Sequence, residues 1–525
     1  MSTTRITITT TLMSSRRLRT FVGACMLIFM MPTMAEDAHV VYAYGAEAVN
    51  LDAADAIDGP SFDVVYNIHE GLVGLSETGE IVPVLATSWS LSDDQLSWTF
   101  ILREGVKFHD GTDFNADVVK FNFDRVMDAA NELGNVKQWE PHIASVEVVD
   151  ASTVRINTKK PYGSLLSLLA SDFGKLMNSP DAVAQHGDQY GRNPVGTGPF
   201  VFESWNPGVN LVLKKNPDYW GGAPAIGSVE YRPSPEGSAR VLALESGDVD
   251  LINQVPAQDL ARLQESDKYG LSNRTISRLF YWAFNHTKDV WSNPQVRIAL
   301  NRAVDRQSIV DNVLYGAGEA ANSYISPTVY GSIPIDVYGY DPAAARKMLE
   351  EANFPFDRTF VVYITEGRYY QDRQVAEVLQ GMLQEIGLKI QLEVIEWGAF
   401  VDAVWFTPAE DAAAQARDIV QTSYGTEDPP TWMRQTLTSY NWPKNGFNEA
   451  FYGNEEVDRL IDASNESTNL EERKAILADI QKNLIEDPPW LITHFEQAVV
   501  AHKAMLTGLT LSPAGRVGFK SASMQ

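Results

Sequence analysis

The sequence predicts an α/β fold of two lobes, and three observations carry that reading. Residues Asp93 to Val126 read as strand, turn and helix in succession. From Phe360 a strand, an amphipathic helix and a second strand follow one another, which implies a right-handed crossover and a parallel pair. Near the end, after two helices, Trp490 to Ala501 reads as a return strand. The first lobe is therefore split in sequence, and it carries an extra subdomain at about residues 70–195.

In chain order, Val40 to Tyr44 is a short apolar strand, followed by the small, acidic loop Gly45 to Gly59. Phe62, Val65, Ile68 and Leu72 take helical spacing within Ser61 to Leu75. Leu96, Trp98, Phe100 and Leu102 alternate with Ser97, Thr99, Ile101 and Arg103 as a strand, and a second short strand is expected through Val106 and Phe108. His109-Asp110-Gly111 turns the chain, and Asn115 caps a helix through Val126. Ser145 to Ile156 and Asn210 to Leu213 read as strands. Pro194 to Phe200 is a turn held by two prolines, whose glycines 196 and 198 are free to take positive φ. Ala239 to Glu245 is a helix closed by Ser246-Gly247-Asp248, with a strand after it. Tyr281 to Asn285 is a strand that should approach the cleft and cross to the second lobe.

Asn293 and Pro294 start the next helix, and Gly316 lies just past its end. Asp341-Pro342 starts another, ended by Asn353. Gln371 to Ile386 places Val375, Val378, Leu379, Met382, Leu383 and Ile386 on one face, and Gly387 stops it. Leu388 to Val394 then alternates as a strand, and helices are expected near Glu455 to Ser464 and Leu470 to Ile485.

Trp98-x-Phe100-x-Leu102-Arg103-x-Gly105-Val106-Lys107-Phe108-His109-Asp110-Gly111, with Phe114-x-Ala116-Asp117-Val118 after it, resembles family 5 of the extracytoplasmic solute-binding proteins. These are peptide-, nickel- and glycoside-binding receptors of ABC importers. Pro194 to Phe200 and Lys215-Asn216-Pro217-Asp218-Tyr219-Trp220 add second and third matches. The resemblance implies a periplasmic binding protein fold, type II-like and of the large cluster C type. It implies lobe I at 36–285, lobe II at 286–493 and a return to lobe I at 494–525. It also implies capture of a solute between the lobes, delivery to permease subunits in the inner membrane, and a monomer.

The formal net charge of −26 disfavours nucleic acid, whose recognition needs basic patches. Residues 1–35 read as a signal peptide, with Arg16, Arg17 and Arg19 before the apolar run Phe21 to Met31. Small residues end at Ala35, so cleavage there and a periplasmic location are expected. Cys25 is the single cysteine and lies inside this leader, which leaves the mature chain without a thiol for disulfide, metal or nucleophile.

Enzyme motifs are absent. His69-Glu70 lacks the second histidine of HExxH, and no GxSxG or GxxxxGK occurs. Gly316-Ala317-Gly318-Glu319-Ala320-Ala321 matches GxGxxA but follows a helix, where a dinucleotide site needs a strand. No cofactor and no metal are expected, and a secreted hydrolase is the competing class.

Trp397, Trp432 and Trp139 are candidates to line a cleft, where an aromatic face with a polar tip suits mixed ligands. Glu47 lies in the loop that lines the cleft in this family. Arg368, with Tyr369, precedes the amphipathic helix and could clamp a ligand carboxylate. Peptide receptors often carry Trp-x-x-Asp-x-x-Asp-Pro, whose first Asp takes the peptide ammonium. Anchoring that pattern on Asp428-Pro429 puts Thr422 at the Trp and Gly425 at the Asp, with Tyr424 between. The ammonium anchor is missing unless Glu427 substitutes. The ligand class expected from the resemblance is peptides or peptide-like solutes, with oligosaccharides, opine-like conjugates, glutathione or a nickel chelate as alternatives.

Overall fold

The computed structural model describes residues 38–76, 79–334, 338–366, 368–425 and 427–525, apart from the side chains at 257, 397 and 398. The expected leader and its cleavage site at Ala35 lie outside the described residues. Among the described residues no helix is long and apolar enough to cross a membrane.

An 11-stranded mixed sheet runs through the chain. On one side Ala38–Tyr44 pairs in parallel with Ile226–Pro233 and with Leu251–Asn253. The hairpin Phe200–Asn206 and Asn210–Lys215 extends that edge. On the other side Thr359–Ile364 pairs in parallel with Lys389–Val394 and Ile419–Tyr424, so the parallel pair expected from strand–helix–strand is present. Two long antiparallel strands, Tyr269–Phe284 and Trp490–Lys503, join the two sides. Each serves both. Leu251–Asn253 pairs with Val500 to His502 at one end, and Ile419–Tyr424 pairs with Leu279 to Phe284 at the other. Their register breaks between Thr275 and Leu279. Asn285, where the crossing was expected, lies beyond the far end of the strand, buried and donating to the Ala414 and Arg417 carbonyls.

The extra subdomain is a separate four-stranded sheet of Ala86–Leu91, Ser97–Leu102, Thr153–Thr158 and Ile143–Asp150. Trp98, Phe100 and Leu102 are buried on its inner face, as their alternation dictates. They pack with Val119, Phe123 and Val126 of the helix Ala116–Met127, which Asn115 caps through the Val118 amide. The second strand expected through Val106 and Phe108 is only a bridge, Lys107 to Asp113, closing a turn; both apolar side chains are nevertheless buried.

Other local signals act as expected. Asn293 and Asp341 cap their helices. Gly247 and Gly387 take positive φ just past helix ends. The helix expected from Asn293 to Gly316 is instead two, Pro294–Arg302 and Arg306–Asn312, because Asp305 caps a new start through the Ser308 amide; Gly316 takes positive φ beyond the second. Val375, Leu379, Leu383 and Ile386 bury the amphipathic helix Asp372–Glu385, and Val378 and Met382 flank them. Gly196 and Gly198 differ from expectation, since neither takes positive φ. A Cβ on Gly196 would overlap the Ile68 carbonyl, and one on Gly198 would lie 2.7 Å from its oxygen. These glycines let backbone touch backbone, and the Gly198 amide donates to that same oxygen at 2.9 Å.

Candidate ligand-binding site between the two halves

A small void of about 20 Å³ lies where the subdomain meets the second half of the sheet. The helix Leu165–Ala170 brings Leu168, the turn after it brings Ser171 and Phe173, and the short helix Val136–Trp139 brings Gln138. The opposite wall is Tyr424, at the end of its strand, with Asp428, Thr431 and Gln435. The last three belong to one device. Asp428-Pro429-Pro430 starts the helix Pro429–Leu437, and the Asp428 carboxylate accepts from the Thr431 amide (3.2 Å) and hydroxyl (2.6 Å). Tyr330 donates to the same carboxylate at 2.5 Å. Tyr424 donates to Gln435 Oε1 (2.6 Å), and Gln435 Nε2 donates across the gap to Gln138 Oε1 (3.4 Å). The result is a small chamber with apolar patches and several amide and hydroxyl groups, the composition of a site for a polar organic solute.

A charged corner lies beside it. Arg516 donates to Asp172 (2.9 Å) and Asp63 (3.3 Å), with its side chain only 13% exposed. Burial pushes the Asp63 carboxyl up to about 6, against the pull of Arg516. Burial, then repulsion from Asp172, pushes Glu427 up to about 7, and Arg516 and Lys175 oppose that rise. Burial lowers Lys175, while Asp172, Glu70 and Glu427 hold its proton. Its ammonium lies 4.8 Å above the Tyr66 ring. With every group ionised, the carboxylates of Asp63, Asp172, Glu427 and Glu70 outnumber the cations Arg516 and Lys175, so the corner favours added positive charge.

The residues proposed from sequence are distributed unevenly about this chamber. Tyr424 and Asp428 line it, and Glu427 faces the charged corner. Gly425 offers no room for a side chain: a Cβ there would overlap the Ser277 carbonyl oxygen and lie 2.9 Å from Arg278 Cα. Trp432 is 2% exposed and stacked on Trp490 at 6.0 Å, in the core beneath the helix. Trp139 is wholly buried and edge-on to Phe123 at 5.1 Å. Tyr369 is buried against Phe280, its hydroxyl 3.1 Å from that of Thr422. Arg368 is exposed, with its guanidinium 4.7 Å over the Tyr369 ring. Glu47 accepts from Trp205 Nε1 (2.8 Å) and the Gly208 amide, which ties its loop to the edge hairpin. The Trp397 side chain lies outside the described residues.

Sequence reasoning missed Gln138, Leu168, Phe173, Asp172, Lys175 and Arg516. One signal was present: Asp172 and Lys175 are the only charged residues between Pro161 and Pro180, a run otherwise apolar or small. Among the described residues no cluster of three or more His, Cys, Asp or Glu side chains is placed to hold a metal ion.

Residues 80–455 match the model of bacterial extracellular solute-binding proteins, family 5 Middle. The chain is 31% identical over 492 residues to the glutathione-binding protein GsiB of Escherichia coli O1:K1 / APEC, covering 93% of this chain and 94% of that one. Among solved structures it resembles the ABC transporter-associated periplasmic binding protein DppA from Helicobacter pylori, in complex with the peptide STSA. That likeness has a TM-score of 0.78 at 27% identity and covers 93% of this chain and 98% of the other. It also resembles the dipeptide binding protein from Pseudoalteromonas sp. SM9913, in complex with Met-Leu. There the TM-score is 0.79 at 26% identity, over 93% and 100% of the two chains.

Proposed function

The chain belongs to the bacterial extracellular solute-binding proteins, family 5, and on that premise we propose that it is the periplasmic receptor of an ABC importer for a peptide-like solute. The observation that carries this reading is the chamber walled by both halves, which are joined by two continuous strands with a break in register. Such a pair of strands can flex at the break, so a ligand touching both walls favours the closed arrangement. On this reading lobe I runs from about residue 36 through the subdomain to the break. Lobe II follows to about 493, and 494–525 return to lobe I. The leader is cleaved near Ala35, the receptor works as a monomer with permease subunits in the inner membrane, and it catalyses nothing.

We assign the ligand's free amine to the charged corner, with Glu427 as its carboxylate partner. Gly425 cannot serve, since it has neither a side chain nor space for one. Leu168 and Phe173 contact apolar parts of the solute, while Gln138, Thr431 and Gln435 meet its amides. A free-amine tripeptide such as glutathione, the solute named for the E. coli relative, is the first probe.

Calorimetry with glutathione, a dipeptide and the N-acetylated form of each tests the assignment. The free amines should bind more tightly by about 2–5 kcal/mol, as expected when one partner of a buried charge pair is removed. Equal affinities for free and acetylated forms would remove Glu427 from the site. Ligand recovered unchanged after incubation separates a receptor from a hydrolase. Native mass spectrometry of freshly purified protein would identify a retained solute.

A further inference from the structure

We propose that Gly163 is the position that permits the two halves to close, and that it sets ligand affinity from outside the chamber. The proposal rests on the hinge closure above and is independent of ligand class. Gly163 lies in the turn before the helix Leu165–Ala170, which carries Leu168 to the chamber. Its amide donates 2.9 Å to the carbonyl of Asn465, near the end of the helix Glu455–Glu466 in the opposite half. A Cβ at 163 would overlap the Ser467 carbonyl oxygen and Arg473 Nη2, and would lie 2.6 Å from the Ser467 carbonyl carbon.

That carbonyl is held in place. Buried Arg473 donates to it through Nε (3.1 Å) and Nη2 (2.8 Å), so it retreats only by breaking two charge-assisted bonds. The seam is also tied to the chamber wall. Asn465 Nδ2 donates to the Pro430 carbonyl (3.1 Å), in the first turn of the helix that Asp428 caps. Arg473 Nη1 donates to the Tyr330 hydroxyl (3.2 Å), which in turn donates to Asp428. A push at Ser467 therefore reaches the residues that line the chamber. The φ of Gly163 is not in the left-handed region, so alanine is unstrained in the subdomain by itself. Only the approach of the other half excludes it. Two further contacts along the seam, Gln95 with Thr468 (2.8 Å) and Lys160 with Glu466 (3.6 Å), join exposed side chains that can move aside.

The test is a closure trap that needs no ligand. In the full chain carrying Cys25→Ser, Gln95→Cys and Thr468→Cys, a short bismaleimide links the two halves at a rate set by the closed population. Adding Gly163→Ala should slow linking by about tenfold or more, as expected for a shift toward the open state. Far-UV circular dichroism and melting should be unchanged. Gly381→Ala, in a helix with nothing within 4 Å of its added Cβ, should link at the parent rate. A Gly163→Ala chain that links at the parent rate overturns the proposal. So does one that has lost its fold, since Gly163 would then be a residue of folding and not of closure. Either failure leaves the ligand assignment standing, because no ligand takes part.

Discussion

Replacing Gly425 by alanine would drive a Cβ into the Ser277 carbonyl, 2.8 Å from its carbon and 2.9 Å from Arg278 Cα. All three atoms are backbone of the strand Tyr269–Phe284, at the break in register. No side chain can swing away, so either the strand or the loop after Ile419–Tyr424 must move. Overpacking of this kind costs about 1–3 kcal/mol. In a chain of this size that lowers the melting temperature by about 1–3 °C. Gly425→Asp should cost more, because it adds a carboxylate close to Glu427 in a buried setting. The assay is thermal unfolding of the wild type, Gly425→Ala and Gly425→Asp at one pH, with calorimetry on the two variants. An unchanged melting temperature in Gly425→Ala would refute the argument from backbone contact. A Gly425→Asp chain that is stable and binds free-amine peptides better than wild type would show that the glycine is a lost ligand residue and not a packing requirement.

Trp432→Ala should destabilise the fold by about 3–5 kcal/mol in urea unfolding, by leaving a cavity against Trp490; an unaltered unfolding midpoint with weakened binding would move Trp432 to the ligand. Arg516→Met removes the partner of both Asp63 and Asp172, and should cost about 3–5 kcal/mol near neutral pH. The Glu427 carboxyl keeps its proton up to about pH 7 in the folded chain against an ordinary 4.5. The stability it contributes is therefore complete below about pH 4.5 and is lost as pH rises through 7. Glu427→Gln should flatten that part of the melting-temperature profile; an identical slope in both proteins would show that Glu427 is not the titrating group. Asp428→Ala removes the helix cap and the acceptor for Tyr330, and should lose about 1–2 kcal/mol in unfolding free energy.

The sequence by itself determined what neighbours along the chain decide. Alternation placed Trp98, Phe100 and Leu102 on one face of a strand, and Asn115, Asn293 and Asp341 started helices because a cap bonds only to the next turn. The strand–helix–strand run from Phe360 fixed a parallel pair through the handedness of crossovers. Tertiary structure decided the site, because its parts are distant in sequence. Gln138 and Gln435 meet across 297 positions. Arg516 reaches Asp63 across 453 positions and Asp172 across 344. A tryptophan spacing reads the same whether the ring faces a cleft or a core, so Trp139 and Trp432 could be assigned only once Phe123 and Trp490 were seen against them. Gly196, Gly163 and Gly425 are alike in sequence as residues without a side chain. What each one makes room for is the backbone of a segment far away: Ile68, Ser467 and Ser277. Local rules carry no information about which segment that is.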